Sequence, residues 1–279
     1  MTFQVVIPLY TNLLQPYEAI SIQRAFACFE GNITLVIPQG FKPTHKLFTH
    51  LQYNIQYFEP AYFNGIAGYN KLLLTPQFYQ AFINYTFILI YQPDCYVFNP
   101  TLQPWLSKGY SYIGAPWFWD SFYPKPQFTK KTAMVGNGGL SLRNVTHCLA
   151  VLKGNKAIKY NHNTYLIKQR GQHQKWVKRN SDNAQQYIKD AVNLRPLTAV
   201  QYIAKHPIIE DVFWSIVAPQ YNSNFNVSPL LIGMQFCFEA YPELCYQLNN
   251  KQLPFGAHAW WRYNLSFYTP FIVADGYTL

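Results

Sequence analysis

A chain of 279 residues, 49% hydrophobic and 18% aromatic, can bury a full core, and a mean hydropathy of -0.12 excludes both a disordered polymer and a membrane-embedded bundle. Its formal charge of +10, from 22 Lys and Arg against 12 Asp and Glu, points to anionic partners such as phosphate, nucleic acid or a membrane surface. The five cysteines (Cys28, Cys95, Cys148, Cys237, Cys245) are odd in number, scattered and free of any CxxC pair, which argues against a zinc knuckle or a disulfide framework.

FQVVIPLY, from Phe3 to Tyr10, predicts a strand, and the apolar spacing up to Cys28 predicts a helix. ITLVIPQG then repeats the apolar-apolar-Ile-Pro pattern. Two such runs around one helix predict a βαβ unit with parallel strands, whose C-terminal edge commonly receives a nucleotide. No stretch reaches the roughly 18 to 20 apolar residues of a spanning helix, and the sequence enters this first strand without a charged leader, so a cytoplasmic location is expected.

After the loop YFNGIAG, the run YNKLLLTPQFYQAF has helical periodicity in Leu72, Leu73, Phe78 and Phe82. Tyr69, Asn70 and Lys71 are expected near the N-terminus of that helix, where a phosphate is favourably held; a solvated Lys at a helix start is the plainer alternative. YTFILIYQPDCYVF, Tyr85 to Phe98, predicts a buried strand that ends in Gln92, Pro93 and Asp94. Open α/β sheets bind ligands at that edge, although an Asp after a strand also caps turns.

TLQPWLSKGYSYIGAPWFW predicts a short helix and a strand ending in Trp117, Phe118 and Trp119. Aromatic faces of this kind stack on sugars or bases, or fold over their own core. In VGNGGLSLR, Val135 to Arg143, the residues Asn137, Gly138 and Gly139 permit backbone conformations closed to other side chains before a strand resumes. A hairpin turn would use the same residues, and neither a Walker loop nor a dinucleotide fingerprint is present.

Between Lys153 and Asp190 nine bases stand against two acids, in a stretch rich in Asn, Gln and His. It predicts a solvated basic insertion. Tyr160, Tyr165 and Trp176 interleave it, as in a footprint for an anionic acceptor or a cytoplasmic leaflet. HPIIEDVFWSIVAP places Glu210 and Asp211 at a helix start, where acids either favour the dipole or supply a general base. LPFGAHAWW puts His258 between a Gly turn and two tryptophans, as a structural residue or as partner to an upstream carboxylate.

Taken in order, these features resemble GT-A nucleotide-sugar glycosyltransferases. YNKLL, IYQPDCYVF, YIGAPW, GNGGLSLR, EDVFW and PFGAHAW are closely similar to a bacterial family of glycosyltransferase-like proteins often associated with surface-polysaccharide synthesis. The resemblance implies an α/β fold in one GT-A-like domain over residues 1–279, with a mostly parallel central sheet flanked by helices. Residues 1–100 would form a nucleotide-binding βαβ half and residues 101–279 an acceptor half carrying the basic insertion at about 153–190.

The resemblance also implies site roles. Pro8, Tyr10, Thr11, Tyr69, Asn70, Lys71, Gln92, Asn137, Gly138 and Gly139 would bind the donor, and Trp117 and Trp119 would form a sugar platform. Asp94 and His258 would hold Mn²⁺ or Mg²⁺, with diphosphate oxygens and waters completing the shell. Asp211 would act as base in an inverting transfer, and Glu210 would orient the acceptor. The partners implied are a nucleotide-sugar donor and a saccharide or lipid-linked saccharide acceptor, with peripheral membrane contact through residues 153–190 and no specific nucleic acid. Gln92 departs from the family's Asp-x-Asp pattern and brings an amide where a charge is usual. The charge keeps open a nucleic-acid or anionic-polymer binding protein, and Gln92 an inactive transferase that only binds.

Overall fold

The computed structural model describes residues 1–117, 134–159 and 195–279. Phe118, Trp119 and the basic insertion from residue 160 onward lie outside the described residues. Strands β1 (Phe3–Pro8), β2 (Ile33–Pro38), β3 (Asn54–Phe58) and β4 (Phe87–Tyr91) are followed by β5 (Cys95–Val97), β6 (Tyr112–Ile113), β7 (Ala115–Trp117), β8 (Met134–Gly136), β9 (Leu140–Asn144), β10 (Cys237–Phe238) and β11 (Gly256–His258). The helices are α1 (Pro16–Phe29), α2 (Gly65–Leu72), α3 (Pro76–Gln80), α4 (Gln103–Leu106), α5 (Val145–Leu152), α6 (Ala199–Lys205), α7 (Glu210–Val212, continuing through a π-helical turn to Tyr221), α8 (Leu230–Phe236), α9 (Pro242–Leu248) and α10 (Trp260–Ala274).

The six-stranded central sheet runs β3-β2-β1-β4-β9-β6. β1 pairs in parallel with β2 on one side and β4 on the other, with Val5 opposite both Ile33 and Leu89. Both runs of the form apolar-apolar-Ile-Pro are therefore neighbouring strands of the expected βαβ unit. β9 enters antiparallel between β4 and β6, so the sheet is mainly parallel with one reversed strand. This shared sheet joins residues from both halves of the chain. YIGAPW is not one strand: Gly114 separates β6, in the central sheet, from β7, which pairs with β8.

Alternation along β1 explains the layers. Val5 and Ile7 pack with Ile22 and Phe26 of α1, while Val6 packs on the opposite face with Ile88, Ile90 and the helical residues Phe78, Cys148 and Trp214. Each fully buried side chain of this size contributes about 1.5–3 kcal/mol. The expected α/β architecture, a mainly parallel sheet with helices on its faces, is the one observed. No helix of the described residues is long and apolar enough to cross a membrane.

One expected helix is two. Lys71 lies in the last turn of α2, not at a helix start. Thr75 then caps α3, accepting from the Phe78 N–H at 3.3 Å, and Pro76 occupies the first helical position. A residue before proline avoids the helical region, and a Thr-Pro pair suits a new N-terminus, so Leu73 to Thr75 break the helix. The phosphate-binding expectation for Lys71 rested on a helix N-terminus that is not there; its position is at the dipole's negative end.

The most unusual core residue is Arg143 on β9, with 0% of its side chain exposed. Its Nη2 lies 2.8 Å from Glu210 Oε2, its Nε donates to Ser141 Oγ at 3.0 Å, and its Nη1 donates to the Tyr79 hydroxyl at 3.1 Å. The guanidinium also lies 5.4 Å from the centre of the Tyr112 ring. Glu210 and Tyr79 hold it in the charged form against burial. Deleting one partner of a buried pair strands the other charge, so Arg143→Met is expected to destabilise the fold by about 3–5 kcal/mol in urea unfolding. Adding Glu210→Gln to that variant is expected to restore part of the loss.

Candidate active site

At the C-terminal end of the parallel strands lies a pocket of about 420 Å³. Four regions distant in sequence build it: the end of β1 with Pro8, Tyr10 and Thr11; the end of β4 with Gln92, Pro93 and Asp94; the turn Asn137 to Gly139; and Ile209 to Asp211 at the start of α7. Tyr69 and Asn70 of α2 line it too, as do Glu239, His258 and Arg262.

The β4 end is fixed by backbone pairing. Gln92 N–H donates to the Gly139 carbonyl at 2.9 Å and Cys95 N–H to the Gln92 carbonyl at 2.9 Å, closing a turn that turns Asp94 inward. The Gln92 side chain hydrogen-bonds the Tyr69 hydroxyl. β5 then pairs antiparallel with β11, placing Cys95 opposite His258, so the acid and the imidazole meet through their strands. Asp94 Oδ1 faces His258 Nε2 at 3.3 Å without a hydrogen bond of good geometry, and Asp94 Oδ2 lies 3.5 Å from Arg262 Nη2. Burial works against ionising Asp94, yet His258 and Arg262 hold it below the usual carboxylate range.

His258 has a second acid behind it. β10 pairs in parallel with β11, Phe238 opposite Ala257, and the next residue, Glu239, puts Oε1 3.2 Å from His258 Nδ1. Burial alone would lower the imidazole's pKa, but Glu239 and Asp94 on either side raise it to about 10. Glu239 escapes a motif-based search, because CFEAY shows only a two-residue strand before the acid. Its signal is the one that picks out Asp94: a carboxylate directly after an apolar strand.

The glycines of the turn have a specific use. A Cβ on Gly138 would fall on the Glu210 carboxylate, and one on Gly139 would fall on the His258 ring. The space freed by both glycines is thus filled by the protein's own side chains. Asn137 adopts the left-handed conformation, with φ 54°, and its side chain accepts from Trp117 Nε1 at 2.8 Å. Trp117 itself packs against Gly136 and is not among the pocket-lining residues; Trp119 lies outside the described residues.

The two acids of α7 diverge. Glu210 is buried against Arg143, and its N–H donates to Asn70 Oδ1 at 3.2 Å. Asp211 Oδ2 accepts from the Asn137 N–H at 3.1 Å and Oδ1 from the Val212 N–H at 2.7 Å. Burial raises the Asp211 carboxyl above its ordinary range despite these bonds. Lys71 does not line the pocket. The lining is acidic, with five carboxylates (Glu18, Asp94, Glu210, Asp211, Glu239) beside His258 and Arg262.

A divalent cation is compatible with the donor set. Asp94 Oδ1 is a buried oxygen without a hydrogen-bond partner beside His258 Nε2, which a bound cation would strip of its proton, and Glu239 stands behind the imidazole at Nδ1 as acids commonly stand behind metal-bound histidines. One carboxylate and one imidazole make only part of a coordination shell, and no group of three or more His, Cys, Asp or Glu is arranged for metal among the described residues. Such a half-site suits a hard cation that shares its shell with substrate oxygens and water.

A family model described as "Protein of unknown function (DUF5672)" matches residues 52–258. The chain belongs to this family. The DUF5672 match begins before β3 and ends on His258, taking in the turn, both α7 acids and Glu239 but leaving out β1 and Arg262. No curated protein matches the chain. Among solved structures, the DUF5672 chain is similar to the galactosyltransferase LgtC in complex with donor and acceptor sugar analogues, at 11% identity and a TM-score of 0.45 over 97% of this chain and 95% of that one. An active-site mutant of LgtC aligns at 12% identity and a TM-score of 0.46, over 98% and 95% of the two chains. The apo-form glycosyltransferase GlyE of Streptococcus pneumoniae TIGR4 aligns at 10% identity and 0.39, over 98% of this chain and 63% of its own. Likenesses this distant carry no argument about activity, which rests on the pocket itself.

Gly139→Ala is expected to push the His258 ring off Asp94 and cost about 1–3 kcal/mol in overpacking. Thermal unfolding would show the loss, and the His258 imidazole resonances would shift.

Proposed function

We propose that this protein is a GT-A-type glycosyltransferase that moves a sugar from a nucleoside-diphosphate sugar to an acceptor hydroxyl. The observation that carries the reading is the convergence, in one pocket at the strand ends, of Asp94, His258, Asp211 and the Asn137–Gly139 turn with the β1 end. These are the residues for which the sequence resemblance implied donor, metal and base roles.

In this reading the nucleotide lies across the end of β1 at Pro8, Tyr10 and Thr11, and Tyr69, Asn70 and Gln92 offer polar groups beside it. Asp94 and His258 would hold Mn²⁺ or Mg²⁺, which when bound neutralises charge on the departing diphosphate. Asp211 takes the proton of the acceptor hydroxyl. Its raised pKa brings a carboxylate closer to the range where a general base works well, and the Asn137 and Val212 N–H groups aim it. Glu210, with one oxygen held by Arg143, orients the acceptor through the other. A positioned base of this kind supports direct displacement and inversion at the anomeric carbon.

The acceptor in this reading is a saccharide or lipid-linked saccharide of a surface-polysaccharide route. The basic insertion would then meet an anionic membrane surface by charge alone.

Screening transfer and donor hydrolysis across nucleotide-sugars, with and without Mn²⁺, tests the proposal. Asp211→Asn is expected to lower kcat about 10²–10⁴-fold, the usual contribution of a general base. Asp94→Ala is expected to abolish metal-stimulated turnover. Full activity in both variants would refute the assignment. The acid limb of the wild-type kcat/KM profile is expected above the ordinary Asp pKa of about 3.9, activity falling as pH drops through the raised Asp211 value, and that limb should vanish in Asp211→Asn.

A further inference from the structure

The pocket poses a charge problem for the ligand just assigned to it. A diphosphate entering the lining meets the carboxylates of Glu18, Asp94, Asp211 and Glu239, with Glu210 already paired to Arg143. Lys71, the cation that the sequence offered for this task, lies outside the lining. Arg143 is sealed in the core by Glu210, Tyr79 and Ser141. Arg24 is tied to Asp275 at 3.0 Å and to the Val97 carbonyl at 2.7 Å.

Among the described residues, Arg262 is the one Lys or Arg that lines the pocket. Its side chain is 63% exposed and has a single ion contact, the 3.5 Å approach to Asp94 Oδ2, with the Trp261 ring 5.9 Å from its guanidinium carbon. That contact is too long to satisfy the guanidinium's donors, so most of its fork is free to engage a ligand. The placement is built into the backbone. Ala259, at φ 50°, turns the chain sharply after His258, and the Arg262 N–H donates to the Ala259 carbonyl at 3.0 Å, which fixes the first turn of α10. His258 and Arg262 thereby approach Asp94 together, one on each carboxylate oxygen.

We propose that Arg262 is the donor-binding residue that grips the diphosphate, a proposal that rests on the glycosyltransferase reading. Its planar fork matches phosphate oxygens in bidentate fashion, and its exposure lets it swing from Asp94 onto the ligand while His258 stays against the carboxylate. Its position beside Asp94 sets it at the leaving group. Arg262 therefore discriminates a nucleoside diphosphate from the bare nucleoside, while the β1 end and α2 make the contacts common to both.

Isothermal titration of the full chain with UDP, GDP, CDP and ADP, in Mn²⁺ and in EDTA, identifies the nucleotide the wild type binds. The same titrations on Arg262→Ala and Arg262→Lys, with the matching nucleoside in parallel, test the proposal. Arg262→Ala is expected to weaken diphosphate binding about ten- to a hundred-fold, as for loss of a charged hydrogen bond, and to leave nucleoside affinity unchanged. Arg262→Lys should recover part of the loss, and melting curves should show all three proteins equally folded. Equal diphosphate affinity in wild type and Arg262→Ala overturns the role of Arg262 alone. An equal loss for nucleoside and diphosphate also overturns it. A wild type that binds none of the four nucleotides overturns the glycosyltransferase reading, and this proposal with it.

Discussion

The buried pair of Arg143 and Glu210 is the constraint on which the site depends. A guanidinium with no exposure has to be met by a carboxylate, and the carboxylate available comes from the first turn of α7. That single demand draws α7 down onto β9. It sets Glu210 against Gly138 and so fixes the turn between β8 and β9. Through the same turn, the Asn137 N–H reaches Asp211 and the Gly139 carbonyl reaches the Gln92 N–H. The pair is thus less a contribution to stability than a means of placing three segments in register.

The second constraint is pairing between strands. Asp94 and His258 meet because β5 and β11 are hydrogen-bonded, and Glu239 joins them because β10 lies beside β11. The result is a row of acid, imidazole and acid in which neither side chain of the central contact chooses its own direction. Glycine supplies the remaining room, since a side chain at position 139 would occupy the place of the His258 ring.

Much of this was legible in the sequence where composition is local. The repeated apolar-apolar-Ile-Pro runs announced β1 and β2, the abrupt polarity change after FILIY located Asp94, and GNGG announced a turn that only small residues allow. What stayed hidden depends on partners far along the chain. Arg143 looked like the end of an ordinary strand, because nothing in LSLR says that β9 runs reversed between two strands deep in the core. Glu239 and Arg262 gain their meaning only from the register of β10 and from the sharp turn at Ala259. Lys71 was misplaced by helical periodicity, which does not register that a Thr-Pro step starts a new helix.

The three-stranded sheet of β10, β11 and β5 holds only short strands, yet Cys95, Val97 and Cys237 are fully buried in the same core as Val5 and Ile7 of β1. Segments that open on their own have few buried apolar contacts, and this sheet has many. Glu239, His258 and Asp94 are thereby tied to the same packing that holds the end of β1. On warming, the acid–imidazole row is therefore expected to come apart with the fold and not before it, so the geometry of the site has the same thermal ceiling as the core.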